Sequence, residues 1–229
     1  GMMLVSLLLC VGIANRVLNH LPFIDFRPYA VGKSISEGMM SAEELGKEPT
    51  QYGTIYSLKN TATGEMVKVN DQQYIDEKWW EQPEWEIQND LTETVLVKEG
   101  YEPPIHDFVV LVNDEDRTQE ILQSSAMLFI VARRLDEANM QGLSDIKTLV
   151  RQASYLGIDA IGASASSPSE IERLLQAELI NYPMASMDET TLKTIIRCNP
   201  GLLLISEGVV KGKWHFNDLP KAEELQKLL

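Results

Sequence analysis

Residues 197–216 read RCNPGLLLISEGVVKGKWHF. Asn199-Pro200-Gly201 is a breaker triplet. Leu202, Leu203, Leu204 and Ile205 form an unbroken apolar run, the pattern of a strand buried on both faces. Glu207-Gly208 is a two-residue turn into Val209–Phe216, which alternates more and carries Lys211 and Lys213. Gly supplies the positive φ that a tight hairpin turn needs, so the stretch predicts a β-hairpin. Pro200 cannot donate to a ladder and must stand at the first position of its strand, where a cis bond is also tolerated.

Working outward, Gly100-Tyr101-Glu102-Pro103-Pro104 marks a boundary, because two prolines force an extended path. Beyond it, Phe108–Val112 predicts a short buried strand, followed by an acidic turn at Asn113–Asp116. Ala126–Ala132 (AMLFIVA) reads as a central strand. Residues 143–156 carry an apolar stripe at Leu143, Ile146, Leu149/Val150, Ala153 and Leu156, the signature of an amphipathic helix ended by Gly157. Ile158–Gly162 is the next strand. Ser167-Pro168-Ser169-Glu170 is a capping box with Pro at the first helical position, and Asp188 caps a third helix. Lys221–Leu229 predicts a last helix. The order β-β-α-β-α-α-β-β-α demands parallel crossovers and a sheet covered on both faces, closed by an antiparallel hairpin. The fold class is α/β with a thioredoxin-like pattern.

The residues that carry this pattern also carry a family resemblance. From Pro103 to Pro220 the chain resembles thioredoxin-like domains of the TlpA and peroxiredoxin type. "PPIHDFVVL" resembles their opening and "AMLFIVA" the strand that delivers the catalytic cysteines. "IDAIGASASSPSEI" resembles the following strand and helix, and "NPGLLLISEGVVKGKW" the cis-proline strand and hairpin. Upstream, "NHLPFIDFRPYAVG" with "KEGYEPPIHDF" resembles a bacterial group of DoxX-type membrane proteins, in which a multi-helix membrane unit precedes a soluble thioredoxin-like tail. That resemblance implies a membrane unit or membrane-protein partner and an extracytoplasmic soluble domain.

The sequence departs from the redox members at the place that matters. Their catalytic cysteine follows the central strand; here that place is Arg133-Arg134-Leu135-Asp136-Glu137-Ala138-Asn139, without sulfur. A low-pKa thiolate at a helix N-terminus is what runs dithiol exchange. Cys198, two residues before Pro200, is the only thiol near the expected site. As a nucleophile it needs a nearby cation, for which Arg133, Arg134 and Arg197 are candidates; otherwise it is a small, half-buried hydrophobe. Arg133 and Arg134 either bind an acidic ligand in the vacated loop or balance Asp136 and Glu137. His20, His106 and His215 share no metal-ligand spacing, and His106 is expected to make a structural hydrogen bond. No metal or cofactor is implied.

Residues 30–100 read as a β-rich extension. Tyr52, Thr54, Tyr56 and Leu58 alternate, Asn60–Gly64 is turn chemistry, and Met66, Val67 and Val69 resume the pattern. Tyr74–Trp80 fits a short helix or a third strand, and Glu86–Lys98 a further strand. Trp79, Trp80 and Trp85 either build a small core or stack sugars or a peptide. Ahead of this, residues 1–29 begin with Gly1, read as a cloning remnant and set aside, and the apolar stretch Met2–Ala14. Three readings stand for that stretch: a weak signal peptide, a terminal helix, or the end of a transmembrane helix. Asn15, Arg16, Asn19 and His20 followed by Phe23–Tyr29 have the composition of a membrane exit.

The chain has 229 residues with 44% hydrophobic and 24% charged content, which marks a globular protein. A formal charge of −14 argues against nucleic acid and against a polybasic grip on anionic lipid. Two cysteines, Cys10 and Cys198, offer no C-x-x-C and no zinc cluster. Together these features predict a thioredoxin-like domain at 101–229 behind the extension and the membrane-proximal segment. They suggest a non-catalytic, membrane-associated module that binds a protein or other ligand. The alternatives are a single-cysteine thiol reductase or peroxidase using Cys198, and a Trp-lined carbohydrate or peptide binder.

Overall fold

A computed structural model describes residues 2–229; Gly1 lies outside the described residues. In chain order the elements begin with α1 (Met2–Asn19) and α2 (Ile35–Met39). Next come β1 (Gln51–Asn60), β2 (Met66–Asn70), α3 (Asp71–Asp76), β3 (Trp85–Ile87) and β4 (Glu93–Lys98). The C-terminal half holds β5 (Leu111–Val112), β6 (Glu115–Asp116), α4 (Thr118–Gln123), β7 (Met127–Val131), α5 (Met140–Ser154) and β8 (Asp159–Ser164). It closes with α6 (Pro168–Gln176), β9 (Met184–Ser186), α7 (Glu189–Ile195), β10 (Gly201–Ser206), β11 (Val209–His215) and α8 (Ala222–Gln226).

Two units result. One joins the N-terminal residues through Met39 to Pro104–Leu229, and the other is Met40–Pro103. The sequence reading placed its divisions at 29/30 and 100/101. Residues 30–39 belong to the first unit for a physical reason. Gly32 N–H and Ile35 N–H donate to Val210 and Gly208 carbonyls, Lys33 O accepts from Val210 N–H, and Ile35 is fully buried. This strap covers the open edge of β11, which would otherwise present unpaired backbone groups.

The first unit has a seven-stranded sheet in the order β11-β10-β7-β8-β9-β5-β6. β7, β8 and β9 run parallel; β10 is antiparallel to β7 and to β11. Helices cover both faces, and the arrangement is thioredoxin-like. All six residues of β10 are buried. Leu203 and Ile205 enter a core with Phe108, Phe129, Val131 and Leu192, while Leu202 and Leu204 enter the opposite core with Leu128, Ile130, Ile146 and Leu149. Glu207 (φ 49°) and Gly208 (φ 75°) both take left-handed backbone, as a two-residue hairpin turn requires. The Asn199–Pro200 peptide is cis. Ser167 and Glu170 form the expected reciprocal cap of α6, and Asp188 accepts from Thr191 N–H at the start of α7.

Three details depart from the sequence reading. Phe108–Val112 is strand only at Leu111–Val112. Val110 N–H donates instead to Thr118 Oγ1 (2.9 Å) and its carbonyl accepts from Arg117 N–H, although Phe108 and Val110 are buried as expected. Asn113 and Asp114, both at positive φ, form the turn that brings β6 back against β5. Helix α4 and strand β9 were not anticipated; at six and three residues they are too short to show a period.

The second unit is an antiparallel sheet in which β1 pairs β2, β3 and β4. The stretch expected as one strand over Glu86–Lys98 is broken by a 3-10 turn at Asn89–Leu91. Ser57 Oγ donates to Leu91 O (2.6 Å) and holds that turn against β1. Tyr74 lies in α3 and Trp79–Trp80 in a 3-10 turn, so the segment is helical rather than a third strand. Asn70 and Gln73 cap α3 reciprocally.

Candidate functional site

β7 and β8 end, and β10 begins, at the same end of the sheet, because Gly201 stands opposite Val131. Three loops meet there. Arg133 O accepts from Ala165 N–H, Leu135 N–H donates to Ser166 Oγ, and Asn199 Nδ2 donates to Arg134 O (2.7 Å). Asn139 N–H donates to Asn199 O, and Asn139 Oδ1 caps α5 at Gly142 N–H. Gly142 is required here, since a Cβ would lie 2.8 Å from Phe216. The fold therefore brings the Arg133–Asn139 loop and the loop carrying Cys198 and Pro200 together at the N-terminus of α5 through Asn199.

The two guanidiniums of this loop are paired with carboxylates. Arg134 is held bidentately by Asp136 (2.8 and 3.2 Å) and reached by Glu137 at 3.4 Å; Arg133 pairs with Glu137 at 3.0 Å. The hydrogen bond and charge of Asp136 raise the pKa of Arg134, and the Arg134 hydrogen bond lowers that of Asp136. The adjoining cleft, about 230 Å³, is lined by Arg134, Ser166 and Ser167 but also by Asp136, Glu170 and Glu189. Three carboxylates against one guanidinium leave no net attraction for an anion.

Cys198 is half-buried against the core that holds Leu203 and Ile205. Burial pushes its thiol up to about 12, despite opposing help from a Phe216 backbone hydrogen bond and the charges of Lys213 and Arg27. A thiol raised in this way is largely protonated at neutral pH, whereas the thiolate is the nucleophilic form. The cations that bear on it are Lys213 and Arg27, not the three arginines weighed from sequence.

Those two belong to a buried cluster that sequence reasoning missed. Lys213 Nζ lies 2.6 Å from Asp25 Oδ2 and 3.1 Å from Tyr29 O, and its side chain is 3% exposed. Asp25 also accepts from Arg27 Nε at 2.8 Å. A signal was present. Lys213 stands opposite Leu203 in the hairpin, on the face that enters the core, and a lysine there demands a carboxylate.

The remaining candidates are dispersed. Trp79 and Trp85 pack edge to face at 5.2 Å, while Trp80 packs on Tyr74 at 5.9 Å and stays half-exposed. His106, expected to make a structural hydrogen bond, is exposed and has no partner among the described residues. His20 pairs with Asp218 at 2.7 Å. Among the described residues no three His, Cys, Asp or Glu side chains are grouped to hold a metal, and no helix is long and apolar enough to cross a membrane.

No family model matches the chain, and no curated protein does. Among solved structures, a thiol-disulfide oxidoreductase from Bacteroides fragilis aligns at 14% identity and a TM-score of 0.42, over 54% of this chain and 97% of that one. A thiol peroxidase from Chromobacterium violaceum aligns at 18% identity and 0.39, over 59% of this chain and 91% of its own. The thioredoxin-like fold of this chain stands on its strand order, its two-faced sheet and its closing hairpin.

Proposed function

We propose that this chain is a redox-inactive thioredoxin-like module that works at a membrane, supporting or binding a protein partner there. The observation that carries the reading is the loop at the N-terminus of α5. Arg133–Asn139 holds no sulfur, and its two guanidiniums are committed to Asp136 and Glu137. The only thiol nearby, Cys198, is shielded by burial. The resemblance of residues 19–32 to the segment before the soluble tail of DoxX-type proteins supports a membrane unit as the partner and an extracytoplasmic placement.

The test is thiol chemistry. Disulfide reduction and peroxide turnover are measured for the wild-type chain and for Cys198→Ala, with alkylation of Cys198 followed across pH. The expected result is no turnover in either protein and an alkylation rate still rising above pH 9. Turnover that disappears in Cys198→Ala, with a thiol pKa well below about 8.5, would establish a single-cysteine reductase or peroxidase instead. Quenching of Trp fluorescence by oligosaccharides or peptides would move the binding role to the second unit.

A further inference from the structure

The strap between α1 and α2 is inside-out. Asp25 and Arg27 turn inward, to Lys213, to each other and to Thr194 O, while their neighbours point to solvent. Phe23 is 80% exposed, Ile24 65% and Phe26 91%. A chain that folds for water places these residue types the other way round. The exposure is not slack, because Asp25 anchors the backbone between the aromatics and Arg16 stacks over the Phe23 ring at 5.3 Å.

Helix α1 continues the same surface. Residues 10–15 are exposed at six consecutive positions, about one and two-thirds turns, so nothing in the first unit covers any side of the helix there. Leu7, Val11 and Ile13 lie among the exposed apolar residues. A second copy or a protein groove would cover one stripe of such a helix. A hydrocarbon phase covers the whole circumference. Charge agrees with this. The protein carries a formal charge of −14, yet residues 2–24 contain no Asp or Glu, and the first acid, Asp25, is neutralised by Lys213 and Arg27. The segment thus brings no acid of its own to this face apart from the paired Asp25. Asp218, which reaches the end of α1, is itself paired with His20 at 2.7 Å, so the face meets a lipid headgroup layer with little repulsion.

We infer that Phe23, Ile24 and Phe26 dock the first unit onto a lipid bilayer, with α1 in the hydrocarbon and the strap in the interfacial layer. The Asp25–Lys213 pair holds the three side chains in the docking position. This rests on the membrane reading proposed above and adds to it a defined contact face.

The experiment uses the full chain and phosphatidylcholine vesicles. In a Cys10→Ser/Cys198→Ala background, an environment-sensitive nitrobenzoxadiazole label is placed through Phe26→Cys, and separately through Tyr155→Cys. Tyr155 is 84% exposed and follows α5, which packs on the opposite sheet face. The expected result is flotation of the protein with vesicles and a blue-shifted, brighter emission from the label at 26 but not from that at 155. Phe23→Ser and Phe26→Ser are each expected to lower vesicle partitioning about tenfold or more, the value of withdrawing one aromatic from an apolar phase. Both side chains are exposed, so folding is not at stake. Flotation without a shift at 26 overturns the docking face and leaves membrane association standing. Absence of flotation overturns both. A shift at 26 that grows with protein concentration in the absence of vesicles assigns the face to a second copy and refutes the lipid.

Discussion

Asp25→Ala isolates the contact that ties the strap to the sheet. Lys213 is 3% exposed and keeps, in the variant, only the Tyr29 carbonyl at 3.1 Å; Arg27 keeps only Thr194 O at 3.4 Å. Removing one partner of a buried pair leaves an uncompensated charge and costs about 3–5 kcal/mol. Asp25 itself is about one-fifth exposed and Lys213 retains one acceptor, so the lower end, about 3 kcal/mol, applies. For a unit of this size that is a fall in unfolding midpoint of about 6–12 °C. Removing both charges by Asp25→Leu with Lys213→Met is expected to recover most of the loss, because the desolvation cost leaves with the pair. The pH dependence has a definite sign. Burial pushes the Asp25 carboxyl up, but hydrogen bonds from Lys213 and Arg27 outweigh it and hold the group below the ordinary carboxylate range. Stability from a depressed carboxylate is present above its unfolded pKa, about 3.9, and is lost as pH falls through the folded value. The gap between wild type and Asp25→Ala should therefore be constant from pH 7 to 5 and close below pH 4. Calorimetry and urea unfolding across that range provide the measurement. A single-variant loss under about 1 kcal/mol, the level of an exposed pair, or a double variant as unstable as the single one, would refute the reasoning.

Four further outcomes are expected. Titration of the native protein with a thiol reagent at pH 8 should show one fast cysteine, the exposed Cys10, and one slow one, Cys198, which becomes fast only in denaturant. Gly142→Ala should destabilise by about 1–3 kcal/mol, because overlap with Phe216 at 2.8 Å exceeds the gain of about 1 kcal/mol that alanine brings to a helix; an unfolding curve with a raised midpoint would contradict this. Burial lowers the pKa of His215, whose Nδ1 accepts from Asn217 N–H, so stability should fall as pH drops below about 6.5. His215→Phe should flatten the slope between pH 6.5 and 5. Arg134→Ala should leave the melting curve unchanged, since both ends of its pairs with Asp136 and Glu137 face water.

What the sequence determined by itself was the class of the first unit. Leu202–Ile205 has no polar interruption, so its strand had to lie between two cores, and the structure sends alternate residues into each. Local chemistry with a fixed spacing was equally legible. The Glu207-Gly208 turn, the Ser167–Glu170 box, the Asp188 cap and the boundary at the paired prolines each rest on residues within four positions of one another. What depended on distant partners was not. Asp25 and Lys213 are 188 positions apart and meet only once the strap lies along β11. The hairpin register marks this lysine as core-facing, opposite Leu203, but nothing nearer in the chain says which carboxylate it meets. The same holds for Cys198, whose neighbours in sequence are Arg197 and Asn199 but whose thiol is governed by burial against a core assembled from many segments. The sequence showed that sulfur was missing after the central strand. The tertiary structure decided that the remaining thiol is half-buried, that Arg133 and Arg134 are already paired, and that Phe23 and Phe26 face outward, because exposure is a property of packing and not of any single stretch.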